Sequence, residues 1–409
     1  MMKFVARIAL SMTYAFAICI ASLLSLIVPK RRPASGRLLA IGTFHNPNWF
    51  MAHIPPLANC GIDEIIVVGD GFMQQLPNVR MVVPNRFVAA IFSRSVAKLI
   101  WGFGCAIKYK PDLYMGYAIF PAATWALLLS RLFGRPCCFQ LTSGKLELEG
   151  GGNRAENRLL ASLKTPSPLV ERLAFTLTRQ FDLMIVRGSQ AEDYVRKLGY
   201  IGPVATITGS VTIPETVQGP GERDIDLIYV ARLTRRKRPD RYIEIVKRVA
   251  QEIPGVKAVV VGDGPEYEPV RQQVIAAGLQ DNVELLGLRH DVPDLVARSR
   301  LFVLTSRWEG LSIALLEAMS GAVVPVASDV GDLADVVKNG VTGYLYDEDD
   351  LDSFTKTIVD LLSNEELQTT LAMSARQAVI DKSGIQAVTQ QWHDVLREYV
   401  AMRDNSRSV

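Results

Sequence analysis

Beyond residue 36 the chain alternates short, unbroken apolar runs with longer amphipathic ones. In the first half Arg37–Thr43, Glu64–Gly69, Asp112–Gly116, Pro136–Leu141, Phe181–Arg187 and Val204–Thr208 read as strands. Helical periodicity falls near Phe50–Asn59, Phe87–Lys108, Phe120–Phe133, Leu169–Arg179 and Ala191–Leu198. Residues 214–223 are polar, rich in Pro and Gly and without period, so they read as a linker. The alternation then restarts, with strands at Ile225–Ala231, Val256–Val261, Val283–Leu286, Leu301–Thr305, Val323–Ala327 and Gly343–Tyr346. Helices fit Pro239–Gln251, Pro265–Ala277, Val292–Arg298, Ser312–Ser320, Leu333–Lys338 and Leu351–Leu362. Unbroken apolar strands separated by helices predict parallel sheets covered on both faces. The class is α/β: two doubly wound domains, 37–213 and 224–384, facing each other across a cleft at the strand C-termini. A last helix within 385–409, after the break at Gly384, is expected to pack back on the first domain.

The N-terminus has a different pattern. From Ile8 to Val28 no residue is charged, and as a helix this run spans about 31 Å, close to a ~30 Å hydrocarbon layer. Lys3 and Arg7 precede it; Lys30, Arg31, Arg32 and Arg37 follow it. Residues 1–36 are therefore read as a membrane anchor, spanning at 8–28, with a basic flank and the domains that follow on the cytoplasmic side. Two alternatives stay open. One is a cleaved signal, for which Ala15-Phe16-Ala17 has the right form but lies inside the apolar run; the other is a helix lying in the interface.

Composition narrows the classes. A chain of 409 residues implies two or three domains, and 49% hydrophobic with 21% charged residues excludes a disordered or collagen-like chain. The 45 basic residues barely exceed the 42 acidic ones, which argues against a nucleic-acid partner. Five cysteines without a C-x-x-C pair suit reduced thiols rather than a zinc or thioredoxin-like site. His45, His53, His290 and His393 show no ligand spacing, and Asp224-Ile-Asp226 starts a strand, the wrong end for a ligand. No metal site is expected.

The candidate chemistry lies in the second half. Ser306-Arg-Trp-Glu309-Gly310-Leu311-Ser312-Ile-Ala-Leu-Leu-Glu317 follows a strand and opens a helix near Ser312. Free N–H groups and the positive end of that helix suit an anion, and Gly310 admits close approach of a ligand. Glu309 precedes the helix; Glu317 lies inside it, where a carboxylate can accept both hydrogen bonds of a ribose diol. Each Glu alone is ordinary; the pair after a strand is not. Val230-Ala-Arg232-Leu-Thr-Arg-Arg-Lys237-Arg-Pro places Arg232 and Lys237 in another strand-to-helix turn, suited to phosphate. Arg235, Arg236 and Arg238 read as a solvated basic loop. Gly262-Asp-Gly264-Pro265 begins like a dinucleotide fingerprint, but Tyr267 stands where the third Gly belongs.

Together A-R-L-x-x-x-K, V-G-D-G-P, G-L-R-H-D-V and S-R-W-E-G-L-x-x-x-L-L-E-A-M resemble the retaining glycosyltransferases of family 4. The resemblance implies the GT-B architecture of two Rossmann-like domains, with a UDP- or GDP-sugar held by the C-terminal one and no cofactor or metal. It implies Arg232 and Lys237 at the diphosphate and Glu317 at the ribose. Glu309 would meet the transferred sugar, with the Gly310, Leu311 and Ser312 backbone nearby, and Gly264 and Arg289 would border the donor, the latter beside the base. Glu309, Arg232 and Lys237 are the catalytic candidates. The acceptor half departs from the family: Tyr117 stands where many members carry a His, so His45, Tyr117 and Ser210 are the acceptor-side candidates. Gly150-Gly151-Gly152 suggests a mobile acceptor loop or a disordered insertion. The expected reaction is sugar transfer to a glycan or lipid-linked acceptor. A nucleotide-sugar 2-epimerase and a non-catalytic nucleotide-binding membrane protein are the competing classes.

Overall fold

The computed structural model describes residues 2–31, 36–44, 47–155 and 158–405. The chain forms two units, residues 1–210 with 388–409, and residues 211–387.

The first unit is built on a seven-stranded, all-parallel sheet ordered β3-β2-β1-β4-β5-β6-β7. Its strands are β1 (Arg37–Ile41), β2 (Glu64–Val68), β3 (Val79–Val82), β4 (Leu113–Tyr117), β5 (Cys137–Gln140), β6 (Leu183–Val186) and β7 (Val204–Thr206). Its helices are α1 (Met2–Ile27), α2 (Pro47–Ala58), α3 (Arg86–Tyr109), α4 (Thr124–Leu132), α5 (Arg158–Ala161), α6 (Pro168–Thr178) and α7 (Ser189–Lys197). Alternate strand residues feed two cores. Leu39, Ile41, Phe139 and Met184 meet α1, α3, α4 and α6 on one face; Leu38, Ala40, Met115 and Ile185 meet α2 on the other.

The N-terminal helix is not detached from this unit. Leu10, Tyr14, Ala17 and Ala21 form one buried stripe in the same core as α4 and α6. Arg7 Nη2 donates to Thr165 Oγ1 (3.0 Å) and Pro166 O (3.1 Å), and Gln180 Nε2 donates to Ser22 Oγ (3.0 Å). The glycine run is also packed rather than loose. Gly150, Gly151 and Gly152 have φ of 63°, 77° and 79° and are buried. A Cβ on Gly151 would come within 2.9 Å of Val170, and one on Gly152 within 2.8 Å of Glu147 O.

The second unit carries a six-stranded parallel sheet ordered β10-β9-β8-β11-β12-β13. The strands are β8 (Ile225–Val230), β9 (Ala258–Val261), β10 (Val283–Gly287), β11 (Ser299–Leu304), β12 (Val324–Ser328) and β13 (Tyr344–Tyr346). The helices are α8 (Pro239–Glu252), α9 (Tyr267–Ala276), α10 (Val292–Ala297), α11 (Ile313–Ser320), α12 (Leu351–Leu362) and α13 (Glu365–Ser383). The helix expected at 333–338 is instead a tight turn, Gly331–Asp335. Residues 214–223 fold onto this unit: Arg223 donates to Ser299 O (2.7 Å), Gln218 O (2.7 Å) and Gly321 O (3.0 Å). Helix α14 (Ile385–Asn405) follows Gly384 and buries Val388 and Trp392 in the first unit.

Candidate active site

In the second unit the chain winds outward in both directions from β8, whose neighbours are β9 and β11. Such a switch point leaves a crevice between two strand C-termini, where open α/β sheets bind ligands. The loop leaving β8 carries Arg232 and Lys237; the loop leaving β11 carries Glu309 through Ser312.

The two loops are laced together. Arg307 N donates to Arg236 O (2.8 Å), Arg236 Nη1 to Trp308 O (3.4 Å), and Thr305 Oγ1 to Arg238 O (2.8 Å). Tyr229 Oη, rising from β8, donates to Lys237 O (2.7 Å). Lys237 Nζ, so held, donates to Glu309 Oε1 at 2.5 Å, with side-chain exposures of 13% and 5%. Burial pushes the Glu309 carboxyl up, but the charges of Lys237 and Arg236 outweigh it and hold the group below the usual carboxylate range. An ammonium has three donors, so the ion pair leaves Lys237 capacity for an anion. Arg236 and Arg238 are thus not merely a solvated loop. Their backbones carry the lacing, and Arg238 forks onto Asp240 (Nη2–Oδ2 2.8 Å). Arg232 is exposed on the same loop.

Glycines permit this close approach. At Gly264, φ +154°, a Cβ would lie 2.3 Å from Leu233 O, so the V-G-D-G turn packs the β9 loop against the β8 loop. At Gly331, φ +61°, a Cβ would lie 2.3 Å from Glu309 O, and Asp332 N donates to Gly310 O (3.0 Å). Gly331→Ala is expected to displace the Glu309–Gly310 turn. The melting temperature should fall by several degrees, since such strain costs about 1–3 kcal/mol. Thermal denaturation checks it.

Ser312 caps α11, accepting from Leu315 N (3.4 Å) and leaving the first N–H groups of the helix for an anion. Leu311 is 2% exposed and its side chain belongs to the core, so only its backbone serves the turn. Glu317, inside α11, has its carboxyl pushed up to about 7 by burial. Arg289 is exposed beyond β10, where Nε meets Asp291 Oδ1 at 2.7 Å. Asp224 and Asp226 pair with Arg298 and Arg300 as strand-start struts. Among the described residues no three His, Cys, Asp or Glu side chains gather as metal ligands.

The first unit has its own switch point, between β1 and β4. Tyr117 ends β4, with Gln140 as its register partner on β5, and the His53 ring from α2 lies 6.0 Å from the Tyr117 ring. His53 Nδ1 bonds Trp49 O (2.9 Å); its Nε2, Tyr117 Oη and both Gln140 amide atoms are buried without a hydrogen-bond partner among the described residues. Burial, with Arg187 nearby, lowers the His53 pKa to about 3, so the ring is neutral. Arg187 donates to Thr208 O through Nε (3.1 Å) and Nη2 (2.8 Å). Ser210 is committed to α2, its Oγ donating to Met51 O (3.2 Å) and Ala52 O (3.3 Å). His45 lies outside the described residues. Gln140 and Arg187 are not singled out by the sequence, and His53 is weighed there only as a metal ligand, because each looks like part of an element; Arg187, closing an apolar strand, is the signal that was available.

Residues 215–378 match the family model "Glycosyl transferases group 1". The chain is 30% identical over 184 residues to N-acetyl-alpha-D-glucosaminyl L-malate synthase of Bacillus anthracis, covering 44% of this chain and 48% of that protein. It is 30% identical over 158 residues to UDP-Gal:alpha-D-GlcNAc-diphosphoundecaprenol alpha-1,3-galactosyltransferase of Escherichia coli, covering 38% and 41%. The chain thus spans less than half the length of each. The crystal structure of Anabaena Alr3699/HepE in complex with UDP shares the fold, with a TM-score of 0.70 at 18% identity over 88% of this chain and 100% of that one. The fold is GT-B.

Proposed function

We propose that the chain is a glycosyltransferase that moves a sugar from a nucleotide diphosphate sugar to a glycan or lipid-linked acceptor, retaining the anomeric configuration. The observation that carries this reading is the buried Lys237–Glu309 pair at the switch point of β8 and β11, beside the capped start of α11. In the reaction the bond from the anomeric carbon to the phosphate oxygen breaks. The acceptor hydroxyl oxygen bonds that carbon on the same face and its proton passes to the departing phosphate. Arg232, Lys237 and the first N–H groups of α11 neutralise the growing charge without a divalent ion. Glu317 holds the ribose, and Glu309 keeps Lys237 extended while meeting the sugar. The buried polar layer of His53, Tyr117 and Gln140 stands behind the acceptor side. The family match supports the reaction class. The similar protein named for UDP-Gal and a diphosphoundecaprenol acceptor supports a uridine donor and a lipid-linked acceptor. We place both units on the cytoplasmic face of a membrane, whose anionic leaflet the basic residues after Val28 suit.

Thermal denaturation with UDP, GDP and ADP compounds is the first test, since a ligand of the folded state raises its stability by mass action. A UDP compound should raise the midpoint without added metal. Matching UDP-sugars offered with polyprenyl-diphosphate saccharides should then give an α-linked product from an α-linked donor. Strict dependence on manganese, or an inverted product, contradicts the reading.

A further inference from the structure

Helix α1 turns one stripe inward, and the opposite stripe is covered by none of the described residues. Val5, Met12, Cys19 and Leu26 recur every seven residues and are exposed, with Ile8, Phe16 and Leu23 beside them. A spacing of seven returns to within about 20° of the same azimuth, so these side chains form one line along the helix. Helix α3 covers the same sheet face and is apolar on its outer side, where Ile100, Phe103 and Ile107 are 45%, 42% and 54% exposed. Stripes turned away from one sheet face share one side of the unit.

Two observations decide what meets this side. The first is charge. The sequences of α1, α3 and α4 contain no Asp or Glu, whereas Arg94, Lys108 and Lys110 are exposed on or just after α3, and Lys30 and Arg31 just after α1. An apolar strip edged by cations complements an anionic lipid surface. The second is the stapling of α1. Its buried stripe runs from Leu10 to Ala21, Arg7 and Ser22 are bonded to residues flanking α6, and Arg31 N donates to Gly134 O (2.9 Å) just beyond α4. A helix fixed lengthwise to a parallel α/β unit cannot also stand upright through hydrocarbon. To do so it would carry α6, with the exposed Arg172, and Arg179 beyond it into the bilayer. Nor is α3 a span: its chain breaks at Ser93, φ 75°, and buried Lys98 pairs with Asp70 at 2.6 Å.

We infer that α1 does not cross the membrane but lies in the plane of an anionic leaflet, and that α1 and α3 together form the membrane-contact face of the first unit. This rests on the membrane placement proposed above and is independent of the chemistry.

The test uses the full chain with a polarity-sensitive fluorophore on native Cys19, the exposed one of the five thiols, or on Val5→Cys or Leu26→Cys in a Cys19→Ser background. Vesicles of phosphatidylcholine and phosphatidylglycerol carry nitroxides at shallow or deep acyl positions. All three sites should report one shallow depth. A deep Cys19 flanked by shallow ends means a spanning helix and overturns the inference. Sedimentation with the same vesicles should fall at least tenfold for Ile100→Glu/Ile107→Glu, and about fivefold for Lys108→Glu. If the double Glu variant melts early, Ile100→Ser/Ile107→Ser at an unchanged melting temperature takes its place. Undiminished sedimentation of the folded variants, or equal binding to pure phosphatidylcholine, removes the α3 face. UDP-induced stabilisation is measured on the same samples: it should persist in every variant, and its absence in the parent chain would count against the donor site, not the membrane face.

Discussion

Lys237→Ala is expected to lower kcat/KM for the nucleotide sugar by roughly 10²–10³, the usual cost of removing one preorganised charge from a transition state. It also removes the partner of Glu309, whose side chain is 5% exposed. A buried carboxylate left without its cation destabilises a fold by about 3–5 kcal/mol, so the melting temperature should fall as well. The two effects separate in Lys237→Met/Glu309→Gln, which buries no unpaired charge. Its stability should recover most of the loss while turnover stays low. Stopped-time assays with purified variants and calorimetric melting give both numbers. Near-parental turnover in the folded double variant would remove Lys237 and Glu309 from the mechanism.

Glu317→Gln should act in opposite directions on stability and on binding, and pH should reveal it. The folded chain holds the Glu317 proton more tightly than the unfolded chain does, with a pKa raised from 4.5 to about 7. The stability this contributes is fully present below pH 4.5, declines as the pH rises, and is gone once the pH has passed about 7, for at most about 3 kcal/mol. Glutamine cannot ionise. The variant should therefore match the parent near pH 4 and melt several degrees higher at pH 8. Ribose binding needs the ionised acceptor, so affinity for a UDP-sugar should rise with pH through about 7 in the parent and stay low and flat in the variant. Losing one charge-assisted bond pair costs about 2–3 kcal/mol, or 30- to 150-fold in Kd. A UDP-sugar suits this measurement because its diphosphate is a diester and does not titrate there. An affinity that follows pH equally in both proteins would separate Glu317 from the nucleotide.

Most of the two sheets was legible, because each central strand is an unbroken apolar run. Strand β3, Val79–Val82, escaped: it is an edge strand, half-buried, with Arg80 at an exposed position. Helix α13 escaped because Glu365–Ser383 has little contrast between its faces. The glycines 150–152 suggested mobility, since composition does not distinguish a glycine that frees the chain from one that a tight wall requires. Here neighbouring Val170 and Leu160 supply the wall.

Local patterns along the chain are enough to give strands and helices, the restart after residue 223, the loop residues Arg232, Lys237 and Glu309 just past strand ends, and Glu317 in the helix that follows. These depend on periodicity and on neighbours along the chain. Tertiary structure alone decided which of them meet. Sheet order places β8 beside β11 and so brings Lys237 onto Glu309 across 72 residues. Packing likewise turned the apolar run that begins at Ile8 into part of a 26-residue helix with one face against protein. The reason is the same in both cases: partners distant along the chain are chosen by packing, which no local pattern contains.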